Sequence, residues 1–190
     1  MSPQRPPYID PAAPYLLRAQ AGHRRLLLLD RDGVINIDHG YVHRPMETQW
    51  VPGVFEFCAH AHRSGFLPVV VTNQAGIARG YYSEADFLAY TAWVHTEFAR
   101  QGAPLVATYY CPHHPEYGPD GRGEPCQCRK PAPGMLLAAL SDFGADPHET
   151  VLIGDKPTDV AAGAAAGVAT CHLFSGAWPR LDRLVNGAAT

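Results

Sequence analysis

Three of the five cysteines in this chain lie in one short loop that also carries two histidines. The loop, CPHHPEYGPDGRGEPCQCRKP at 111–131, is rich in Gly and Pro, which excludes a helix or a regular strand. Three sulfurs and one nitrogen, a set that suits tetrahedral Zn²⁺, come from Cys111, His113, Cys126 and Cys128. His114 is the competing imidazole ligand. Because four protein ligands leave no open position, we predict a structural zinc.

The position of this zinc loop, residues 111–128, predicts what the metal does. Cys128 comes two residues before Lys130, so a zinc ion would fix Arg129 and Lys130 in space. Clustered cysteines in a reducing compartment are metal ligands more often than disulfides. Cys58 and Cys171 lie in apolar segments, and we predict that they are ordinary core residues.

A second group of side chains predicts phosphate chemistry. Asp30 and Asp32 are two residues apart just past an apolar run, and Asp155 follows a later run. Close carboxylates repel one another unless a cation lies between them, and Mg²⁺ is the hard divalent ion that suits them. Lys130 and the hydroxyl of Thr72 can hold an anionic group beside that ion. Together these groups form a phosphoryl-transfer site.

A parallel sheet would bring these residues together. The pattern predicts strands at 24–30, 66–74, 105–112, 150–155 and 168–174, alternating with helices at 52–65, 83–102, 133–144 and 159–168. This alternation is typical of an α/β fold with a doubly wound, mostly parallel, Rossmann-like sheet. Ligands of such sheets bind at the carboxyl ends of the strands, where the candidate residues lie.

Composition narrows the function classes. The chain is 46% hydrophobic with a net charge of −3, which argues against nucleic-acid and anionic-membrane partners. No apolar run approaches the ~20 residues of a membrane span, and we find no secretion signal, so we expect a cytoplasmic protein. We predict a single domain at 24–190, monomeric, after a loosely attached Pro-rich arm at 1–23.

The sequence here resembles the haloacid dehalogenase-like phosphatases. LLLLDRDGVIN matches their first motif, VVVTN the second, Lys130 the third and GDKPTD the fourth. The resemblance implies that Asp30 is a nucleophile that forms an aspartyl-phosphate, and that Asp32 protonates the leaving group and then activates water. It also implies that Asp30, the backbone carbonyl of Asp32 and Asp155 bind Mg²⁺. Thr72 and Lys130 would steady the phosphoryl group.

The zinc loop narrows the resemblance to particular groups within these phosphatases. Together with DRDGVINIDHGYVH at 30–43 and VTNQAGIARGYYSE at 71–84, it is similar to the D-glycero-D-manno-heptose 1,7-bisphosphate 7-phosphatases and, less closely, to histidinol-phosphatases. Arg129 would pair with the second phosphate of the substrate. The resemblance implies a substrate pocket formed by Asp38, His39, Gly40, Tyr41, Thr72, Asn73, Gln74, Ala75, Arg129, Lys130 and Lys156.

Residues 37–51 are too few for a large cap domain, so we expect a flap and an open site for a small phosphosugar. The leading hypothesis is Mg²⁺-dependent release of the C7 phosphate, which leaves a heptose 1-phosphate. Alternatives are a histidinol-phosphatase or broad sugar phosphatase and, remotely, a non-catalytic zinc-binding module. For Asp159 three roles stay open: orienting Lys156, binding the metal through water, or an exposed charge on a first helical turn.

Overall fold

The computed structural model describes residues 6–18, 24–118, 123 and 126–186. The strands are β1 (Tyr8–Ile9), β2 (Arg25–Leu29), β3 (Phe66–Asn73), β4 (Ala107–Cys111), β5 (Val151–Gly154) and β6 (Thr170–Leu173). They form a six-stranded sheet in the order β1-β4-β3-β2-β5-β6. Every neighbouring pair is parallel except β1 and β4. The prediction of a mostly parallel, doubly wound sheet is confirmed.

Helices connect the strands and cover both faces of the sheet. They are α1 (Ala13–Arg18), α2 (Val54–Arg63), α3 (Ala75–Ala78), α4 (Glu84–Arg100), α5 (Gly134–Phe143), α6 (Pro157–Ala165) and α7 (Leu181–Asn186). The predicted strands and helices are all present, with bounds that differ by a few residues. The sequence did not predict β1, α1, α3 or α7, because elements of two to six residues are too short for a periodic pattern.

Strand β2 explains the four consecutive leucines. It lies between β3 and β5, in the middle of the sheet. Leu27 and Leu29 pack in the core under α2 and α4, whereas Leu26 and Leu28 pack in the core under α5 and α6. All four side chains are fully buried. A strand covered on both faces needs an apolar side chain at every position, and this pattern is what the sequence shows.

The order of the strands creates the crevice that holds the site. From β2 the chain passes to β3 on one side, and it later returns to β5 on the other side. A reversal of this kind opens a crevice at the carboxyl ends of the two central strands. Asp30 follows β2 and Asp155 follows β5, so the two carboxylates lie on opposite walls of that crevice.

The segment between β2 and α2 is a flap and not a cap domain. Residues 37–51 contain one short 3₁₀ turn, Pro45–Glu47, and an isolated bridge joins Asn36 to Trp50. The site at the sheet edge is therefore left without a covering domain from this segment. No helix in the described part of the chain is long and apolar enough to cross a bilayer.

The described part of the Pro-rich arm is attached to the edge of the sheet. Strand β1 pairs with β4, with Tyr8 opposite Thr108. Asp10 Oδ2 lies 3.0 Å from His95 Nδ1, and His95 Nε2 lies 2.9 Å from the hydroxyl of Thr108. The side chain of Ala13 is buried in the core. These contacts attach the arm through its backbone and through one buried histidine.

The expectation of a loosely attached arm is therefore wrong for residues 6–18. An unpaired edge strand offers free backbone donors and acceptors, and β1 supplies their partners. Residues 1–5 and 19–23 of the arm lie outside the described residues. The division of the chain into an arm at 1–23 and a domain at 24–190 stays a prediction.

Substitution of Asp10 tests the attachment of the arm. Asp10→Ala should lower the free energy of unfolding by about 1–3 kcal/mol, because it leaves a buried nitrogen of His95 without its partner. The hydrogen bond from His95 lowers the pKa of Asp10, so this stabilisation is present above the ordinary pKa and is lost as the pH falls. Urea denaturation at neutral and acidic pH measures both effects.

Tyr15→Ala is the control, since that side chain is 76% exposed on the same arm. Its free energy of unfolding should stay within about 0.5 kcal/mol of the wild type. Equal losses in the Asp10 and Tyr15 variants would show that the buried contact with His95 does not attach the arm.

Candidate active site

Lys130 is a buried cation of the site, with 3% of its surface exposed. Its Nζ lies 3.0 Å from Asp30 Oδ1 and 2.6 Å from Asp159 Oδ1, and it donates to the carbonyl of Val71 at 2.7 Å. These acceptors match the three N–H groups of an ammonium ion. Burial opposes the charged form, but the carboxylates of Asp30 and Asp159 outweigh it and raise the pKa of Lys130. The site therefore contains a permanent positive charge.

The last residue of β3 holds the backbone of Lys130 in place. Asn73 Nδ2 donates to the carbonyl of Lys130 at 3.1 Å, and Asn73 Oδ1 accepts from its backbone N–H at 3.1 Å. This reciprocal pair ties the loop before α5 to the sheet. Gln74 and Ala75 follow Asn73 and lead into α3.

Asp30 has one oxygen held and one oxygen available. The residue directly follows β2, and its backbone N–H donates to the carbonyl of Ile153 in β5 at 3.0 Å. Its Oδ1 accepts from the backbone N–H of Arg31 at 2.8 Å and pairs with Lys130. Among the described residues, none donates to Oδ2. A carboxylate held at one oxygen and open at the other is suited to act as a nucleophile.

Asp155 and Asp159 form a cluster with Asp30, in which one oxygen of each lies within 4.8 Å of the others. Asp155 Oδ1 is buried and has no hydrogen-bond partner in the part of the chain that the structure describes. Burial, with a further contribution from the charge of Asp30, raises the pKa of Asp155 to about 6. A divalent cation would coordinate that oxygen and offset the repulsion, so these residues fit Mg²⁺.

Gly33 lets Asp155 approach the loop that carries Asp30. Its φ angle is +92°, and a Cβ atom at this position would collide with the carboxylate of Asp155. Glycine alone meets both demands, since it tolerates a positive φ and has no side chain. This close contact explains in steric terms why glycine follows Asp32 in the DGV segment of the first motif.

The carboxylate of Asp32 lies apart from this cluster. It accepts hydrogen bonds from Arg31, Asn36 and Gln74. Of the ligands expected for Mg²⁺, the side chains of Asp30 and Asp155 are close together. Because the carboxylate of Asp32 is held elsewhere, its backbone carbonyl is the atom that could bind the ion. That carbonyl is the atom which the family resemblance assigns to the metal.

Asp159 is 1% exposed, so the interpretation of this residue as an exposed charge is wrong. Its Oδ2 accepts from the backbone N–H of Lys156 at 2.9 Å, while Oδ1 pairs with Lys130. The residue therefore caps the start of α6 and balances the charge of the buried lysine. The contact with Lys156 agrees with one of the roles left open for Asp159, whereas the sequence could not show the pairing with Lys130, which is 29 positions earlier in the chain.

A cavity of about 230 Å³ opens above these groups, lined by Asp30, Asp32, Asn73, Arg129, Lys130, Lys156, Thr158 and Asp159. All of these residues except Thr158 were candidate site residues in the sequence. Thr158 lies in the first turn of α6, directly after β5. Its place within GDKPTD at the end of a strand was the signal that could have identified it.

Thr72 is buried behind the cavity, with 1% of its surface exposed. Its hydroxyl oxygen accepts from Gln74 Nε2 at 2.8 Å, and the hydroxyl of Tyr82 donates to Gln74 Oε1 at 2.6 Å. Tyr82 lies within the 71–84 segment that resembles the family, but nothing in its residue type or spacing indicated this contact with Gln74. Tyr82 orients the amide of Gln74, which was a predicted substrate contact.

The flap residues lie on the rim. Asp38 Oδ2 is 3.3 Å from Lys156 Nζ, and this ion pair connects the flap to the cavity. His39 and Gly40 are exposed. Tyr41 has a φ angle of 57°, and its ring packs edge to face on a neighbouring tyrosine at 4.6 Å. The substrate contacts expected of Asp38, His39, Gly40 and Tyr41 stay a prediction.

The predicted zinc ligands meet at one point. Cys111 Sγ lies 3.2 Å from Cys128 Sγ and 3.7 Å from Cys126 Sγ, and His113 Nδ1 lies 3.2 Å from Cys128 Sγ. All four ligand atoms lie within 4.8 Å of one another. Tetrahedral Zn²⁺ with ordinary bond lengths needs ligand separations of about 3.3–3.8 Å, so the cluster fits this ion.

The sulfurs of Cys111 and Cys128, 3.2 Å apart, shift the pKa values of the two thiols in opposite directions. The hydrogen bond between Cys111 and Cys128 lowers the pKa of Cys128 to about 5, and the same bond raises the pKa of Cys111. A thiolate is the form that binds metal. The competing ligand His114 turns elsewhere, with its Nε2 3.3 Å from Arg79 Nη2. Residues 119–122 and 124–125 of the predicted zinc loop lie outside the described residues.

The cluster also holds the residue next to Lys130. Cys111 ends β4, and Cys128 directly precedes Arg129. Arg129 Nη1 donates to the carbonyl of His113 at 3.1 Å. A metal at the cluster would therefore join the end of a strand to the segment that carries both basic residues.

Known proteins are similar to this chain in sequence and in structure. The HAD-hydrolase-like family model matches residues 127–184. D-glycero-beta-D-manno-heptose-1,7-bisphosphate 7-phosphatase of Vibrio cholerae is 50% identical over 76% of this chain and 77% of its own length. The corresponding alpha-anomer phosphatase of Burkholderia mallei is 49% identical over 79% of each chain.

A solved structure is also similar. The D,D-heptose 1,7-bisphosphate phosphatase of B. bronchiseptica, complexed with magnesium and phosphate, has a TM-score of 0.68 and 35% identity. The match covers 77% of this chain and 78% of that chain. The chain therefore belongs to the D-glycero-D-manno-heptose-1,7-bisphosphate 7-phosphatase family of HAD-like hydrolases.

Proposed function

We propose that this chain removes the C7 phosphate of D-glycero-D-manno-heptose 1,7-bisphosphate and leaves the heptose 1-phosphate. The observation that carries the proposal is Asp30, which lies in the cavity with one oxygen tied to Lys130 and the other open. Relatives at 49–50% identity that act on this bisphosphate support the choice of substrate.

The reaction divides into two steps. In the first, Asp30 Oδ2 attacks phosphorus, the bond from phosphorus to the C7 oxygen breaks, and an aspartyl-phosphate forms. Asp32 donates its proton to the departing C7 oxygen. In the second step Asp32 takes a proton from water, which attacks the aspartyl-phosphate and releases inorganic phosphate. Two easier steps replace one difficult displacement.

The chain's own charges prepare the site for a phosphoryl group. Asp30 and Asp155, with the backbone carbonyl of Asp32, would hold Mg²⁺, which neutralises charge on the phosphoryl oxygens when bound. Lys130 is fixed by Asp159 and Val71, so its positive charge does not need to reorganise during the reaction.

The position of Arg129 supports an orientation of the substrate. With the C7 phosphate at Asp30, the sugar ring would lie against the flap, and the C1 phosphate would reach the rim near Arg129. The charges of Arg129 and Arg79 lower the pKa of the neighbouring His114, after the larger effect of its burial, so this part of the rim is electropositive. Such a region favours a second phosphate.

Zinc would have a structural role in this proposal. It would close the loop between β4 and α5 and hold Arg129 and Lys130 at the cavity. The proposed location is the cytoplasm, because a reducing compartment preserves the thiols that bind the metal. The proposed oligomeric state is a monomer.

Asp30→Asn should abolish phosphate release, because it removes the nucleophile and keeps the side-chain volume. A loss of at least 10²-fold in kcat on the heptose bisphosphate is expected. Asp146→Asn is the matched control, since Asp146 lies before β5, far from the cavity, and Asn can keep its cap of His148. Wild-type turnover by pure Asp30→Asn protein would rule out the aspartyl-phosphate mechanism.

Metal analysis of the purified protein should find about one Zn²⁺ per chain. Cys128→Ser should lose that ion, lower the melting temperature and reduce activity, because Lys130 loses its neighbouring anchor. Cys171→Ser is the control, as Cys171 is a half-buried cysteine outside the cluster. A metal-free wild-type protein with full stability and activity would contradict the structural zinc.

Arg129→Ala should weaken kcat/KM for the bisphosphate by roughly tenfold or more, and weaken it much less for a heptose 7-phosphate without the C1 group. Arg63→Ala, on the exposed face of α2, is the control. Phosphorus NMR of the product should show the anomeric phosphate retained. Early release of the C1 phosphate, or equal losses on the two substrates, would reverse the proposed orientation.

A further inference from the structure

Arg31 makes the closest set of contacts with Asp32. Its Nη2 donates to Asp32 Oδ2 at 2.9 Å and to Oδ1 at 3.0 Å, and its Nε donates to Oδ1 at 3.2 Å. The side chain of Arg31 is 3% exposed, compared with 17% for Asp32. The guanidinium therefore holds the carboxylate from the interior of the protein.

Two buried amides hold the same carboxylate. Asn36 Nδ2 donates to Asp32 Oδ1 at 3.0 Å, and Gln74 Nε2 donates to Oδ2 at 3.1 Å. The hydroxyl of Tyr82 fixes the direction of the Gln74 amide by donating to its Oε1. Each oxygen of Asp32 is thus held by one amide and by the guanidinium, and the carboxylate has little freedom to rotate.

These contacts leave the open edge of Asp32 towards the cavity. Asp32 lines the same cavity as Asp30, whereas its three donor residues are 1–3% exposed. Arg31 Nη2 also donates to the carbonyl of Val42 at 2.7 Å, which places the guanidinium between Asp32 and the flap. The buried donors on the interior side of Asp32 therefore set the direction of its carboxylate.

Stability alone does not account for a buried arginine at this position. A buried ion pair is weak evidence for stability, because the cost of removing both charges from water cancels much of their attraction. Arg31 Nη1 is buried and has no partner among the residues described. A role in orienting a reacting group would explain why an arginine is buried here despite the cost of desolvation.

We propose that Arg31, assisted by Tyr82 through Gln74, is a positioning residue that aims the carboxyl group of Asp32 at the leaving oxygen. The proposal rests on the proposed function. While Asp30 attacks phosphorus and the P–O bond to the leaving group breaks, the proton of Asp32 passes to that oxygen. Arg31 does not touch the substrate and acts through Asp32.

Aryl phosphates of similar size separate this role from substrate recognition. Phenyl phosphate needs a proton on its leaving oxygen, whereas p-nitrophenolate is a weak base and leaves without one. Arg31→Met should lower kcat/KM for phenyl phosphate by about tenfold to a hundredfold, and for p-nitrophenyl phosphate by less than about threefold. Because kcat/KM reports the steps up to release of the alcohol, the later hydrolysis step does not enter.

Further variants separate positioning from folding. Tyr82→Phe keeps the ring but frees the Gln74 amide, and it should give the same unequal loss at a smaller size, about threefold on phenyl phosphate. Tyr90→Phe is the control, because Tyr90 packs over Arg31 at 5.2 Å and its hydroxyl contacts Thr48, not Asp32. Arg31→Lys should recover part of the loss on phenyl phosphate.

The outcomes are distinct. Equal losses on the two esters in both Arg31→Met and Tyr82→Phe, or no loss on phenyl phosphate, would overturn the positioning role. A wild-type enzyme that hydrolyses the aryl esters but not the heptose bisphosphate would overturn the proposed substrate alone. A wild-type enzyme that hydrolyses no phosphate ester would overturn the proposed function and the positioning role together.

Discussion

The buried ammonium group of Lys130 organises the whole site. Asp30 and Asp159 come from opposite sides of the crevice between β2 and β5, and they would repel each other without this cation. The carbonyl of Val71 accepts its third N–H group, so the charge is held by the sheet itself. The arrangement leaves one oxygen of Asp30 open to the cavity, and that oxygen is the nucleophile of the proposed reaction.

Two anchors keep Lys130 in place, and each belongs to a different part of the fold. Asn73 binds its backbone from the end of β3. The cysteine cluster holds the preceding residues, with Cys111 at the end of β4 and Cys128 two positions before the lysine. A loop rich in Gly and Pro loses much entropy on ordering, and a metal link is one way to offset that loss.

The two aspartates of the first motif occupy different electrostatic environments. Asp30 lies in a cluster of carboxylates with a lysine and fits a divalent cation. Asp32, two residues later, accepts hydrogen bonds from three residues, one of which is the buried guanidinium of Arg31. Two carboxyl groups that begin with the same chemistry can then take two roles, one as nucleophile and one as proton carrier. The surrounding side chains make this distinction.

The sequence by itself determined the order of strands and helices, the carboxylates at the strand ends and the four cysteine and histidine residues of the candidate metal cluster, because periodicity and motif spacing are local properties. It missed β1, since two residues form a strand only when the edge of β4 is beside them. It also missed the contacts of Arg31 and Tyr82 and the pairing of Asp159 with Lys130. Tertiary packing sets their partners, because it brings together hydrogen-bonding groups that are distant in sequence. For Arg31 the partner is the next residue, but only the folded structure shows which of many possible groups the guanidinium binds.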